Sequence, residues 1–202
     1  MWMSMLQGIG TGGALIVAIG AQNAFVLDRG LRREHAWHVA WVCALCDAVL
    51  IGLGVLGLGA LIARSELAMQ LACYGGAAFL LWQAWLAVQR MWQPDGLRAE
   101  ASGGRPGRGQ VIVATLAVTL LNPQVYLDTL VMLGSIGSLQ QDPLGFYVGA
   151  TLASFCWFFA LVGAARYLAP RLASPRAWRI IDGAIALIMV MVAVQLLRME
   201  LG

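Results

Sequence analysis

Six long apolar runs follow one another along the chain, at Ser4–Leu27, Trp37–Ile62, Leu67–Trp92, Val111–Gly134, Leu144–Arg166 and Ile180–Met199, separated by charges, prolines and glycines. A helix needs about 20 mostly apolar residues to cross the hydrocarbon core of a bilayer, and each run is of that order. The pattern predicts an all-α polytopic membrane protein with six transmembrane helices. If a terminal run re-enters instead of crossing, the count becomes five spans plus a re-entrant segment.

Composition narrows the picture. Of 202 residues, 60% are hydrophobic and 11% charged, far from the balance of a soluble domain. The longest polar stretch, Gln93–Gln110, is too short for a separate catalytic or regulatory domain. Whatever the protein does, it does inside the bilayer, and no enzyme is expected there, because no His lies deep in a span to activate Ser135 or Ser154. Met1–Leu27 holds no charge, whereas a secretory signal peptide carries basic residues ahead of its apolar run. The first run is thus expected to be a retained span.

All thirteen basic residues are arginines. Eleven of them cluster on one side of the predicted topology: Arg29, Arg32 and Arg33 in the first loop, Arg90, Arg98, Arg105 and Arg108 around the central loop, and Arg166, Arg171, Arg176 and Arg179 in the last. Arg64 and Arg198 fall on the other side. The positive-inside rule makes the crowded side cytoplasmic, which puts both termini outside.

Gln93–Gln110 is rich in Gly, Pro and Arg and divides the chain into a first three-helix repeat, 1–92, a cytoplasmic linker, 93–110, and a second three-helix repeat, 111–202. An odd number of spans per half makes the halves face opposite ways, the inverted-repeat plan of secondary transporters, whose substrate site lies near the midplane. Gln22-Asn23-Ala24-Phe25-Val26-Leu27-Asp28 and Asn122-Pro123-Gln124-Val125-Tyr126-Leu127-Asp128 share an amide-rich start and a Leu-Asp end, as related segments would.

An ionisable group in mid-span costs about 2.5–3.5 kcal/mol on insertion scales, so intramembrane acids are informative. Asp47 sits ten residues into the second run, roughly 15 Å deep at helical rise. Asp128 lies deep in the fourth. Asp182 is two residues inside the sixth, beside Arg179, and reads as an interfacial ion pair or helix-start residue. Asp47 and Asp128 have no basic residue inside a span to neutralise them. They read either as protonated acids bonded to a neighbouring helix or as a site for a cation, a proton or both. Asn122-Pro123 in mid-run removes a backbone hydrogen bond and opens the helix, and Gly20-Ala21-Gln22-Asn23 brings two side-chain amides to the matching place in the first half. These amides and freed carbonyls suit an amino-acid carboxylate and amine; alternatively, they join helices.

Other patterns carry less. Gly52-x-Gly54-x-x-Gly57 matches a dinucleotide fingerprint by letter but lies inside an apolar run with no strand before it. Gly8-x-x-x-Gly12 and Gly145-x-x-x-Gly149 allow close helix contact, within the bundle or between protomers of a homo-oligomer. His35 and His38 lack further ligands at metal spacing, and no cofactor or nucleic-acid partner is expected. Trp2, Trp37, Trp41, Trp92 and Trp178 lie near predicted interfaces, as aromatic-belt anchors do. Cys43-x-x-Cys46 beside Asp47 admits a transmembrane thiol relay, although such a relay needs cysteines on facing spans; otherwise these are small apolar residues at a helix contact.

Gly20-Ala21-Gln22-Asn23-Ala24-Phe25-Val26-Leu27, Gly30-Leu31-Arg32-Arg33, Cys46-Asp47, Phe79-Leu80-Leu81-Trp82, Leu121-Asn122-Pro123-Gln124-Val125-Tyr126-Leu127-Asp128-Thr129, Ser154-Phe155-Cys156-Trp157-Phe158-Phe159 and Leu168-Ala169-Pro170-Arg171-Leu172 resemble, in order and spacing, the LysE-type amino-acid exporters, above all the lysine/arginine branch. The resemblance covers nearly the whole chain. It implies export of basic L-amino acids across a bacterial cytoplasmic membrane, driven by the membrane potential or proton gradient, with Gln22, Asn23, Asp47, Asn122, Pro123, Tyr126 and Asp128 as the polar site residues. Two departures stand out. Ala21 replaces the family's usual Pro, which leaves a break in the first helix to Gly20 alone, and Asp182 stands where relatives often carry Asn. Neither alters the expected substrate class. Export of neutral or hydroxylated amino acids by the same fold is the alternative.

Overall fold

The structure is a computed structural model, and it describes residues 1–18, 20–57, 66–92, 106–172 and 174–201. Among these, α1 (Trp2–Ile16), α2 (Ala21–Arg32), α3 (Ala36–Val55) and α4 (Glu66–Trp92) form the first half. The second comprises α5 (Arg108–Leu120), α6 (Pro123–Ser138), α7 (Pro143–Leu168, extended by a 3₁₀ turn Ala169–Leu172) and α8 (Pro175–Leu201). No strand occurs among the described residues. Four helical segments, Ala36–Val55, Gln70–Trp92, Pro143–Leu172 and Pro175–Arg198, are each long and apolar enough to span a membrane. Two further spans are available if each bent pair, α1 with α2 and α5 with α6, counts as one. This is a polytopic helical membrane protein with four to six spans.

The predicted runs map onto these helices with shifted ends. The second run was expected to reach Ile62, but α3 ends at Val55, and residues 58–65 lie outside the described set. Most of the expected linker, 93–105, also lies outside it. The sixth helix starts at Pro175, five residues earlier than hydropathy places it, because Ser174 Oγ accepts from the Ala177 amide and Pro175 needs no donor at its first turn. α2 closes with Arg33 in the left-handed region (φ 56°), where the Glu34 amide reaches back to the Arg29 carbonyl at 3.0 Å.

The first and fourth runs read as single spans, yet both are broken. α1 and α2 meet at 81°, and α5 and α6 at 63°. The helices then pack across the halves. The broken pair α1/α2 lies on α7, the broken pair α5/α6 on α3, and α4 pairs with α8, while α3 and α7 touch each other. Small residues set the closest approaches. A Cβ on Gly8 would meet the Phe146 carbonyl, and one on Gly12 would press on Ala150; Gly149 faces the Met5 carbonyl in return. On the other side Gly54 and Gly134 lie backbone to backbone. Gly8-x-x-x-Gly12 and Gly145-x-x-x-Gly149 are thus used within this chain. Gly54, from the discounted nucleotide pattern, is likewise a helix-contact residue.

Candidate functional site: a polar cavity between two broken helices

Each break leaves carbonyls without their helical partners, and side chains nearby fill the vacancies. At the first, Asn23 Nδ2 donates to the carbonyls of Ile16 (2.9 Å) and Ala18 (2.7 Å), while its Oδ1 accepts from Trp157 Nε1 at 3.0 Å. The first break therefore does not rest on Gly20 alone, as the sequence implied; Asn23 also holds it. At the second, Pro123 has no backbone N–H to leave unpaired, Asn122 Oδ1 accepts from the Gln124 amide (3.1 Å), and Tyr126 Oη donates to the Leu120 carbonyl (2.6 Å). Beyond it the chain winds as a wider π-helix over Tyr126–Leu133, the segment that carries Asp128. Such wide turns recur at functional positions.

A cavity opens where the two breaks face α3. About 40 Å³ of it admits the centres of water molecules, room for about three waters. Its polar lining is Gln22, Asn23, Asp47, Asn122, Gln124 and Asp128, with Thr129 beside them. Five of the seven residues expected to form the site thus converge from opposite halves. Pro123 is buried at the start of α6 and shapes the break, and Tyr126 is engaged by the Leu120 carbonyl; neither is part of the cavity wall.

Asp47 is only 1% exposed. Its Oδ2 accepts from Ser154 Oγ of α7 at 2.8 Å, and its Oδ1 is buried without a hydrogen-bond partner. Among the described residues no arginine pairs with Asp47 or Asp128. A carboxylate held at one oxygen and bare at the other, facing a polar cavity, can take a proton or a cation there. Gln22 Nε2 donates to Thr119 Oγ1 (3.1 Å), closing the wall between α2 and α5, and Cys43 Sγ lies 4.0 Å from the same hydroxyl. Cys43 is buried in the core while Cys46, on the same helix, is half-buried.

Thr119 was not singled out in the sequence, and Ser154 only as a hydroxyl with no histidine to activate it and as part of a family motif. A lone hydroxyl in an apolar run gives no sign of the carboxylate it will meet on another helix. Asp28 was also passed over, being placed at the end of its run. It is 3% exposed and belongs to a network at the arginine-rich end: Arg32 Nε donates to Asp28 (2.7 Å), Arg90 lies 3.7 Å from Asp28 and 3.3 Å from Asp182, and Arg32 also bonds Asp182. The ion pair expected for Asp182 exists, but with Arg32 and Arg90 in place of Arg179. Arg179 and Asp182, three residues apart on α8, could share a face, but the packing of α2, α4 and α8 brings Arg32 and Arg90 to Asp182 instead. The spacing Asp28–Arg32, one helical turn, was the available signal.

A bundle with two interrupted helices whose breaks wall a buried carboxylate defines a class, the polytopic membrane proteins with an intramembrane polar site. The family model of the LysE type translocators matches residues 14–200, and the chain belongs to that family. It is 46% identical over 198 residues to a putative amino-acid transporter YggA of Aeromonas salmonicida, covering 97% of this chain and 96% of that one. Arginine exporter protein ArgO of Yersinia enterocolitica is 44% identical over 98% of this chain and 97% of its own, and that of Pectobacterium atrosepticum 43% over 98% of each. No solved structure matches the chain.

Proposed function

We propose that this protein exports basic L-amino acids, arginine and lysine, from the bacterial cytoplasm by exchange for protons, with Asp47 as the carboxylate that serves both cations in turn. One observation carries the reading: Asp47 lines the cavity, its buried Oδ1 has no hydrogen-bond partner, and no arginine among the described residues pairs with it. The names of the arginine-exporting relatives agree with a guanidinium as cargo. Asp128 is the second carboxylate of the cavity and the natural partner for whichever cation Asp47 does not hold. Gln22, Asn122 and Gln124 are placed to meet the α-carboxylate and α-amine. Asn23 and Tyr126 would act through the breaks they hold closed.

We further propose that 1–92 and 111–202 are inverted repeats joined by the 93–110 linker. The first span of each half is broken, and each broken pair packs on the second span of the opposite half. With the arginine-rich end facing the cytoplasm, both termini lie outside.

The energetics favour exchange. Expelling one positive charge against an inside-negative potential costs about 2.3 kcal/mol per 100 mV. One proton inward per cation outward cancels that cost. The cavity is too small for arginine as it stands, so the cycle requires the broken helices to part. Efflux of labelled Arg, Lys, Thr and Leu from preloaded proteoliposomes tests the proposal. Arginine or lysine efflux, accelerated by an inward proton gradient and lost in Asp47→Asn, is expected; efflux of Thr or Leu alone would instead select the neutral amino-acid reading.

A further inference from the structure

Desolvating two acids and the arginines around them is rarely repaid in stability, so the network of Asp28, Arg32, Arg90 and Asp182, with Arg29 a further 3.9 Å from Asp28, calls for another explanation. Its geometry is asymmetric. Asp28 and Arg32 are one turn apart on α2, and Arg90 ends α4, all in the first half; Asp182, on α8, is the network's member from the second. Both acids are 3% exposed, and both are occupied by guanidinium groups. Gln22 of the cavity lies six residues before Asp28 on the same helix, about 9 Å away along its axis. The network is therefore a clasp between the halves, set one to two helical turns from the cavity toward the arginine-rich end.

We propose that this clasp is a second substrate site, where the guanidinium of an incoming arginine replaces Arg32 or Arg90 on Asp28 and Asp182 and thereby releases the halves on the arginine-rich side. This inference rests on the export reading above. Arg32 and Arg90 act as the protein's own stand-ins for the cargo: the acids already hold the group the cargo would present, in a buried setting where planar, multidentate contacts are favoured. The displaced arginines are free to meet the cargo's α-carboxylate. A neutral amino acid of the same shape has nothing to offer the two acids and leaves the clasp shut.

Cys43 reports on the clasp. It is buried beside Thr119 on the arginine-rich side of Asp47, four residues before it on α3. The full chain in proteoliposomes is treated with a thiol-reactive maleimide on the arginine-rich side, and labelling of Cys43 is followed by peptide mass spectrometry. Without cargo, Asp182→Asn is expected to label at least about tenfold faster than wild type, and its half-saturating arginine concentration for efflux to rise by about tenfold, a change of about 1.4 kcal/mol. Asp182→Glu restores both. In wild type, arginine changes the labelling rate and citrulline, its uncharged analogue, does not. If Asp182→Asn fails to insert, Arg90→Gln supplies the labelling comparison. Labelling unaffected by the variants, or equal responses to arginine and citrulline in a wild type that exports arginine, overturns the inference alone. Absence of arginine efflux from wild type overturns the export reading, and the second site with it.

Discussion

The hydrogen bond from Ser154 to Asp47 is the contact on which the proposed exchange turns. Replacing Asp47 by Asn keeps the shape and removes the charge, so membrane insertion and thermal stability should be preserved while arginine efflux falls to background. Normal efflux from that variant would remove Asp47 from the cycle. Ser154→Ala strips the carboxylate of its one hydrogen bond, an interaction worth about 1.5–3 kcal/mol when one partner is charged. Efflux should drop at least about tenfold, and Ser154→Thr, which keeps the hydroxyl, should recover most of it. Equal rates for Ala and Thr would mean that the bond is incidental. Asn23 is a different kind of residue. Its amide satisfies two freed carbonyls, each costing about 1–3 kcal/mol if left bare, so Asn23→Ala should lower the melting temperature in detergent, which differential scanning fluorimetry can read.

At the scale of elements, the breaks matter more than the spans. Hydropathy marks Ser4–Leu27 and Val111–Gly134 as continuous because the index is blind to direction, and a helix that turns by 81° or 63° in apolar surroundings stays apolar throughout. Pro123 did announce the second break. The first has no proline, and its cause, an asparagine bonding back across the gap, becomes visible only in three dimensions. Packing between elements offers a sharper test. Gly134 and Gly54 meet backbone to backbone, so Gly134→Val should force α3 and α6 apart and cost about 1–3 kcal/mol by overpacking. Gly13→Ala, where an added Cβ meets nothing, should be close to neutral. Parallel unfolding measurements on the two variants decide whether these glycines serve helix contact.

For the molecule as a whole, the proposed orientation rests on the arginines. Reporter fusions at Gly202 should be active on the outer side only, and a fusion after Arg171 on the cytoplasmic side only. The opposite result would reverse the transport direction assigned to the cavity. The crossed pairing of the halves, α1/α2 on α7 and α5/α6 on α3, places the cavity where the two halves meet. There, parting of the broken helices on one side or the other can expose it in turn.

The sequence by itself determined the helical, membrane-spanning architecture, the crowding of arginines at one end, and the polar residues worth watching. All three follow from the cost of placing polar groups in hydrocarbon, which is paid residue by residue and so is written locally. Gln22, Asn23, Asp47, Asn122 and Asp128 were legible for that reason. Only the tertiary structure decided what each of them faces. Asn23 and Tyr126 mended helix breaks, Ser154 reached Asp47 from the other half, and Asp182 found Arg32 and Arg90 instead of its neighbour Arg179. Those partners are 107 residues apart for Asp47 and Ser154 and 150 for Arg32 and Asp182. Contacts between helices depend on how faces are rotated and how closely glycines let backbones approach, and no local pattern records either.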